Sequence, residues 1–112
     1  MVQKPLEKIE VYESTCVLGK KIRTTKRYFE FITQFKHPEL KGKLKEVLKT
    51  ITEADEVRRN PQHPEIHFYY RKFNRHWICV VARHLNGEGF IVTAYLTSRF
   101  KKKGEKIWAK EK

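Results

Sequence analysis

The sequence contains side chains of the types that act on phosphate esters without a metal ion. Cleavage of RNA in this way needs an activated 2′-OH, a proton for the leaving 5′-oxygen and positive charge near the pentavalent phosphate. The guanidinium of Arg71 suits the last task, because it stays charged and can donate to two phosphate oxygens at once. An imidazole can carry a proton near neutral pH, a tyrosine can bind phosphate or stack on a base, and a threonine can orient phosphate oxygens. The catalytic candidates are therefore Arg71, Tyr95, His37, His76, Thr97 and Tyr69.

Each of these candidates also has a purely structural explanation. An arginine between tyrosines on a strand is about as often an ordinary residue that covers an aromatic surface, and a single strand histidine is more often a plain surface residue. His37 directly precedes Pro38, where it can simply end a helix. No metal or cofactor is expected, since Cys16, Cys79 and the five histidines lack paired ligand spacing such as Cys-x-x-Cys.

Positive charge is the strongest whole-chain signal. The 112 residues include 25 Lys and Arg against 13 Asp and Glu, which gives a net charge of +12. Such an excess favours a polyanionic partner, because lysines and arginines that neutralise phosphates release counterions. RNA is the first candidate and an acidic protein the second. The candidates for nucleic-acid binding are Lys20, Lys21, Arg23, Arg99, Lys101, Lys102 and Lys103.

The length and the apolar pattern limit where the protein acts. No stretch approaches the roughly 20 apolar residues of a membrane-spanning helix, and residues 1–10 lack the apolar run of a signal peptide. We therefore expect one cytoplasmic domain over residues 1–112, without membrane contact and with Cys16 and Cys79 unpaired.

The strands that must position the candidates lie between residues 66 and 97. Asn86-Gly87 between apolar runs predicts a two-residue type I′ hairpin turn that pairs Val81 with Val92. A second two-residue turn at Asn74-Arg75 adds residues 66–73 as a third strand, whereas a three-residue loop there would reverse the faces of residues 66–73. Since side chains alternate along strands, one face is nearly all apolar and is expected to accept helices. The other face is predicted to be open and polar and to hold the candidate site. It gathers Arg71, Tyr95, Tyr69, His67, His76, Thr93 and Thr97.

Two helices are predicted before these strands. Apolar residues recur at helical spacing from Tyr28 to Phe35, and again from Leu40 to Ile51, with Pro38 in the first turn of the second helix. The predicted fold class is α+β, with two N-terminal helices packed on one face of a twisted antiparallel sheet of about four strands.

Weaker patterns predict the remaining segments. Residues 9–18 can form a strand, and residues near 54–58 can form a short edge strand. Two interpretations of the basic segment 99–112 stay open. It can be a solvated tail or a last helix whose Trp108 packs on the core, or it can be an arm that binds phosphates.

Four short motifs together resemble a known family. They are His37-Pro38-Glu39-Leu40, Tyr69-Tyr70-Arg71, Thr93-Ala94-Tyr95-Leu96-Thr97 and Gly104-Glu105. Their order and spacing over residues 23–108 resemble the small phage and bacterial proteins grouped with barnase, EndoU, colicin and RelE-like nucleases. The resemblance implies a RelE-like sheet, metal-independent cleavage of RNA, and a toxin role opposed by an acidic antitoxin.

One position departs from the family pattern. The family has a histidine in the first helix about six residues before the position of His37, and this sequence has Phe31 there. The expected general acid or base of that helix is therefore missing. The alternative function is a catalytically inactive module of the same fold that binds nucleic acid or an acidic partner.

Overall fold

The computed structural model describes residues 10–100 and 103–111. Its strands are β1 (Val11–Thr15), β2 (Lys21–Thr25), β3 (Glu56–Arg59), β4 (Ile66–Phe73), β5 (His76–Leu85), β6 (Glu88–Thr97) and β7 (Glu105–Ala109). Its helices are α1 (Lys26–Phe31), which continues as a π-helical turn (Ile32–Lys36), a 3₁₀ turn (Pro38–Leu40) and α2 (Leu44–Thr52). These described strands form one sheet in the order β1-β2-β6-β5-β4-β3-β7.

The sheet corrects the predicted fold class of two helices on about four antiparallel strands. It has seven strands and is mixed, because β2 pairs with β6 in parallel while its other pairs are antiparallel. The unpredicted strands β2 and β7 are short and rich in charge, and neither has a long apolar run. Both lie near the edges of the sheet, where a strand needs little apolar surface of its own. β3 pairs with both β4 and β7, so it is not the edge strand that its sequence predicted.

The C-terminal segment and the second helix also differ from expectation. Residues 105–109 form β7 instead of a tail or helix, although Trp108 does pack against the core as predicted. The second helix does not begin at Pro38. A separate 3₁₀ turn follows Pro38, and Gly42 reverses the chain with a positive φ of 78° before α2 begins at Leu44. The Thr25 hydroxyl caps α1 by accepting from the Tyr28 N–H at 3.0 Å.

The positions of both predicted turns are confirmed. Leu85 pairs with Glu88 across Asn86-Gly87, which confirms the position of this turn. Its predicted type I′ geometry is wrong, because Gly87 has a positive φ (85°) and Asn86 does not. Phe73 pairs with His76 across Asn74-Arg75, where Asn74 supplies a φ of 54°. The register between β4 and β5 is therefore the predicted one.

A β-bulge in β6 changes the predicted faces. Ala82 pairs with Ile91 as expected, but Val81 pairs with Thr93 instead of Val92. Val92 is the extra residue, and an extra residue moves every following side chain to the opposite face. Tyr95 therefore lies opposite Cys79 and on its face of the sheet.

The helices cover the face that was predicted to be open. α1 and α2 pack on the side of Tyr69, Ile78, Val80 and Ala82, here called the covered face. The opposite side, with Phe68, Tyr70, Trp77, Cys79, Val81 and Tyr95, is called the open face. The prediction that the second set would receive the helices is wrong, because both faces carry enough aliphatic and aromatic residues to form a core. Cys16 and Cys79 are free and buried, which confirms that they are unpaired.

Candidate functional site

Arg71 lies on the covered face beneath α2. Its Nη2 donates to the Glu46 carboxylate at 2.6 Å and to the Glu46 carbonyl at 2.9 Å, and its Nε donates to the Thr50 hydroxyl at 3.2 Å. The side chain is 12% exposed, and its hydrogen bond holds the pKa of the Glu46 carboxyl below its usual value. These contacts attach α2 to the sheet and engage Nε and Nη2, so the guanidinium is held beneath α2 and does not face open solvent.

Tyr69 belongs to a buried network on the same face. Its hydroxyl lies 2.8 Å from Nε2 of His84, whose ring is 4.1 Å from that of His67. Burial raises the pKa of Tyr69, lowers that of His67 and lowers that of His84 to about 4. These groups are neutral near pH 7 and lie within the core, where a substrate does not reach them. His76 is exposed at the start of β5, away from this network.

A second group of candidate residues meets at one side of β6. The His37 ring lies 5.7 Å from the Tyr95 ring, and His37 Nδ1 lies 3.3 Å from Glu39 Oε2. Lys103 Nζ lies 5.9 Å from the centre of the Tyr95 ring. We call these four residues, His37, Glu39, Tyr95 and Lys103, the edge cluster.

The helical segment brings His37 to this position. β2 pairs with β6 through Phe90, and past this point no described strand continues along that side. The segment from α1 to the 3₁₀ turn lies there instead: the Tyr28 hydroxyl donates to the Val92 carbonyl at 2.7 Å, and the Leu96 N–H donates to Glu39 Oε2 at 3.4 Å. Glu39 therefore holds both the strand and the imidazole.

Arg58 on β3 holds the backbone of Lys103, the lysine of the edge cluster. Its Nε donates to the Lys103 carbonyl at 3.0 Å, and its Nη2 donates to the Gly104 carbonyl at 2.9 Å. Gly104 has a φ of 74°, and a Cβ there would collide with the Arg59 carbonyl oxygen. The turn before β7 therefore requires glycine, and this turn sets where Lys103 lies.

The Tyr95 hydroxyl and the two buried groups next to it, on Tyr70 and Cys79, are neutral near pH 7. Tyr95 interacts with Cys79 and Tyr70, and burial raises the pKa of all three groups, that of the Cys79 thiol to about 11. The Tyr95 hydroxyl is therefore a hydrogen-bond donor and not a base. The imidazole of His37 is the group of the edge cluster whose chemistry suits proton transfer near neutral pH.

The six catalytic candidates therefore do not form a single site. His37 and Tyr95 come together. Thr97 lies on the same strand and face, but its hydroxyl donates to the Arg99 carbonyl at 3.0 Å and accepts from the Arg99 N–H at 3.2 Å. The other three lie elsewhere and are Arg71, Tyr69 and His76.

The basic candidates also form two groups. Lys20, Lys21 and Arg23 lie at the β1–β2 hairpin, where Lys21 pairs with Glu13 at 3.8 Å and Arg23 with Glu88 at 3.1 Å. Arg99 and Lys103 are exposed, and Lys103 lies over the Tyr95 ring. Lys101 and Lys102 lie outside the described residues.

Sequence reasoning missed the role of Glu39. The His-Pro-Glu motif was recognised, but only its histidine was considered as a functional residue. The available signal is that Glu39 follows His37 across a proline, which favours a turn. Nothing in the sequence indicates that Arg58 holds the carbonyl of a lysine 45 residues later.

Comparisons with family models, with curated proteins and with solved structures found no match to this chain. Within residues 10–100 and 103–111, no helix is long and apolar enough to cross a membrane. The same residues contain no group of three or more His, Cys, Asp or Glu side chains arranged to hold a metal ion.

Proposed function

We propose that this protein binds RNA and cleaves it without a metal ion at the edge cluster. The observation that carries the proposal is the contact of His37 with Tyr95, with Lys103 over the same tyrosine ring. It brings a proton carrier, a neutral hydrogen-bond donor and a cation together at the border of the open face. The net charge of +12 supports a substrate with many phosphates.

The proposed reaction is an internal transfer at phosphorus. The 2′-oxygen attacks the adjacent phosphate and its proton passes to His37 Nε2, which points away from Glu39 because Nδ1 faces that carboxylate. The bond from phosphorus to the 5′-oxygen breaks, and this oxygen takes a proton from the Lys103 ammonium or from water. Lys103 and the Tyr95 hydroxyl stabilise the charge on the phosphate oxygens. The products are a 2′,3′-cyclic phosphate and a 5′-hydroxyl.

A matched pair of histidines tests this proposal. The chain has a second His-Pro-Glu sequence at residues 63–65, in which His63 Nδ1 lies 3.8 Å from Glu65 Oε1. Total RNA incubated with the protein in EDTA should be cut to products with cyclic phosphate ends. His37→Gln should lower the rate about 100-fold or more, in line with the loss of a general acid or base, and His63→Gln should leave it unchanged. Equal rates for the two variants contradict the proposal.

Binding without cleavage is the second candidate function. It is favoured by Arg71, whose donors are held by α2, and by Phe31, which stands where the resembling family has a histidine. In that case RNA stays intact in EDTA while its association constant falls as salt rises. Binding that does not change between 50 and 200 mM salt would contradict phosphate contact in either form of the proposal.

The proposed toxin role requires that the protein cleaves RNA inside the cell that expresses it. Expression of the wild-type chain should arrest growth unless an acidic antitoxin is co-expressed, and His37→Gln should relieve the arrest. Harmless expression of a chain that cleaves RNA in vitro counts against the toxin role and not against the chemistry.

A further inference from the structure

An unusual group of exposed apolar residues lies away from the edge cluster and the buried core. Six large hydrophobic residues are exposed in the described part of the chain, and five of them are contiguous. Val11, Phe90 and Tyr28 line one groove of about 450 Å³. The Tyr28 ring lies 6.0 Å from that of Phe31, which lies 5.2 Å from that of Phe35. We call these five residues the aromatic strip.

The helical segment has two apolar sides, and this explains the aromatic strip. Phe29 and Ile32 point into the core. Tyr28, Phe31 and Phe35 follow a spacing of three and four residues on another side, where they are 37%, 43% and 67% exposed. Single exposed apolar residues are normal on a protein surface, but a contiguous group of this kind marks an interaction site.

The charge around the aromatic strip identifies the chemistry of its partner. Lys36 Nζ lies 5.7 Å from the centre of the Phe31 ring, and Arg23 lines the groove beside Phe90. A second copy of this chain would bring another net charge of +12 to the same surface, and this repulsion opposes self-association. An acidic partner is attracted by the same charge.

We propose that the aromatic strip is the docking surface for an acidic polypeptide segment with large apolar side chains. One apolar side chain of the partner fills the groove between Val11 and Phe90, and others cover Phe31 and Phe35. Its carboxylates face Lys36 and compete with Glu88 for Arg23. The groove favours an apolar side chain over the polar edge of a base, because most of its exposed lining is apolar although Arg23, Thr24 and Thr25 contribute to it. This inference does not depend on RNA cleavage.

A pair of designed peptides provides the test. The first is an amphipathic 15-residue peptide with leucine and phenylalanine along one side and glutamate elsewhere, and the second has lysine in place of each glutamate. Fluorescence anisotropy with the full chain should show binding of the glutamate peptide at least about tenfold tighter than binding of the lysine peptide, since charge sets the preference.

Two protein variants identify the binding surface. The double substitution Phe31→Ser and Phe35→Ser should weaken binding of the glutamate peptide at least about tenfold. Leu85→Ser is the control, because Leu85 is the sixth exposed hydrophobic residue, 46% exposed at the end of β5 and outside the aromatic strip. It should leave peptide affinity unchanged. Thermal unfolding of both variants should match the wild type, since the replaced side chains are exposed.

Four results would overturn the proposal. The first is the absence of glutamate-peptide binding by the wild type, and the second is equal binding by the wild type and the double variant. The third is loss of RNA binding without loss of peptide binding in the double variant, which would make the aromatic strip a surface for stacking bases. The fourth is a wild-type dimer in sedimentation that the double variant abolishes, which would make a second copy the occupant.

Discussion

The buried histidine pair predicts that the protein loses stability as the pH falls from neutral to about 4. The His67 and His84 rings lie 4.1 Å apart and tilted by 58° in the buried interior, and Nδ1 of each is buried without a hydrogen-bond partner in the described structure. Burial, together with the smaller effects of the neighbouring His67 and Lys20, lowers the pKa of His84 from 6.5 to about 4. Protonation therefore favours the unfolded chain, in which the imidazole is hydrated.

The magnitude follows from the difference in pKa between the two states. The stability is fully present above the unfolded pKa of 6.5 and is lost as the pH falls toward the folded pKa of about 4. Each pKa unit corresponds to about 1.4 kcal/mol, so His84 alone accounts for a loss of about 3 kcal/mol. The lowered pKa of His67 acts in the same direction. Glu46, whose pKa is also lowered, contributes only at lower pH, below the ordinary carboxyl value of 4.5.

Urea unfolding of wild type and two glutamine variants at several pH values between 7.5 and 4.5 provides the measurement. His84→Gln removes the titrating group and keeps an amide that can hydrogen-bond with the Tyr69 hydroxyl. His76→Gln replaces an exposed histidine of the same strand and serves as the control. The free energy of unfolding should fall with pH in wild type and in His76→Gln, and clearly less in His84→Gln. Parallel curves for wild type and His84→Gln would refute the assignment of the pH dependence to the buried pair.

Three further predictions concern other parts of the fold. Arg71→Ala should lower the free energy of unfolding several times more than Lys72→Ala. Lys72 is exposed, so its substitution should cost no more than about 0.5 kcal/mol. Equal urea midpoints for the two variants would contradict the attachment of α2 through Arg71. Gly104→Ala should destabilise the protein more than Gly42→Ala. At Gly42 only the positive φ is unfavourable, at about 1 kcal/mol, whereas a Cβ at Gly104 also collides with the Arg59 carbonyl oxygen. The difference in melting temperature between the two variants measures the effect of this collision. The Cys79 thiol, with its pKa raised to about 11, should resist iodoacetamide at pH 8 in the folded protein and react in urea, and rapid labelling of the folded chain would show that it is accessible.

Local turn chemistry made part of the fold predictable. Asn86-Gly87 and Asn74-Arg75 fix the register of their hairpins through residues that tolerate a positive φ, and the caps and breaks of the first helix follow from Thr25 and Pro38. These signals act over a few residues, so the sequence contains them in full.

The rest of the fold depends on distant partners. No residue near Val92 marks an insertion, yet the bulge there separates Tyr95 from Arg71 by placing them on opposite faces. Residues 105–109 pair with β3, and although Ile107 and Trp108 are types common in strands, so short a segment among charged residues does not predict one by itself. The pairing of Arg71 with Glu46 was missed for the same reason, since it depends on which face receives α2.

The helical segment from α1 to the 3₁₀ turn also protects the sheet from association with other chains. A strand edge without a neighbour presents backbone N–H and C=O groups to which a foreign strand can pair, which is a common route to aggregation. On β6 the Tyr28 hydroxyl and the Glu39 carboxylate occupy two such groups, and Ala94 between them is fully buried. The 3₁₀ turn that carries His37 thus also covers part of this strand edge. Substitutions that loosen this turn should lower the solubility of the protein, so solubility limits how freely residues 37–40 can change.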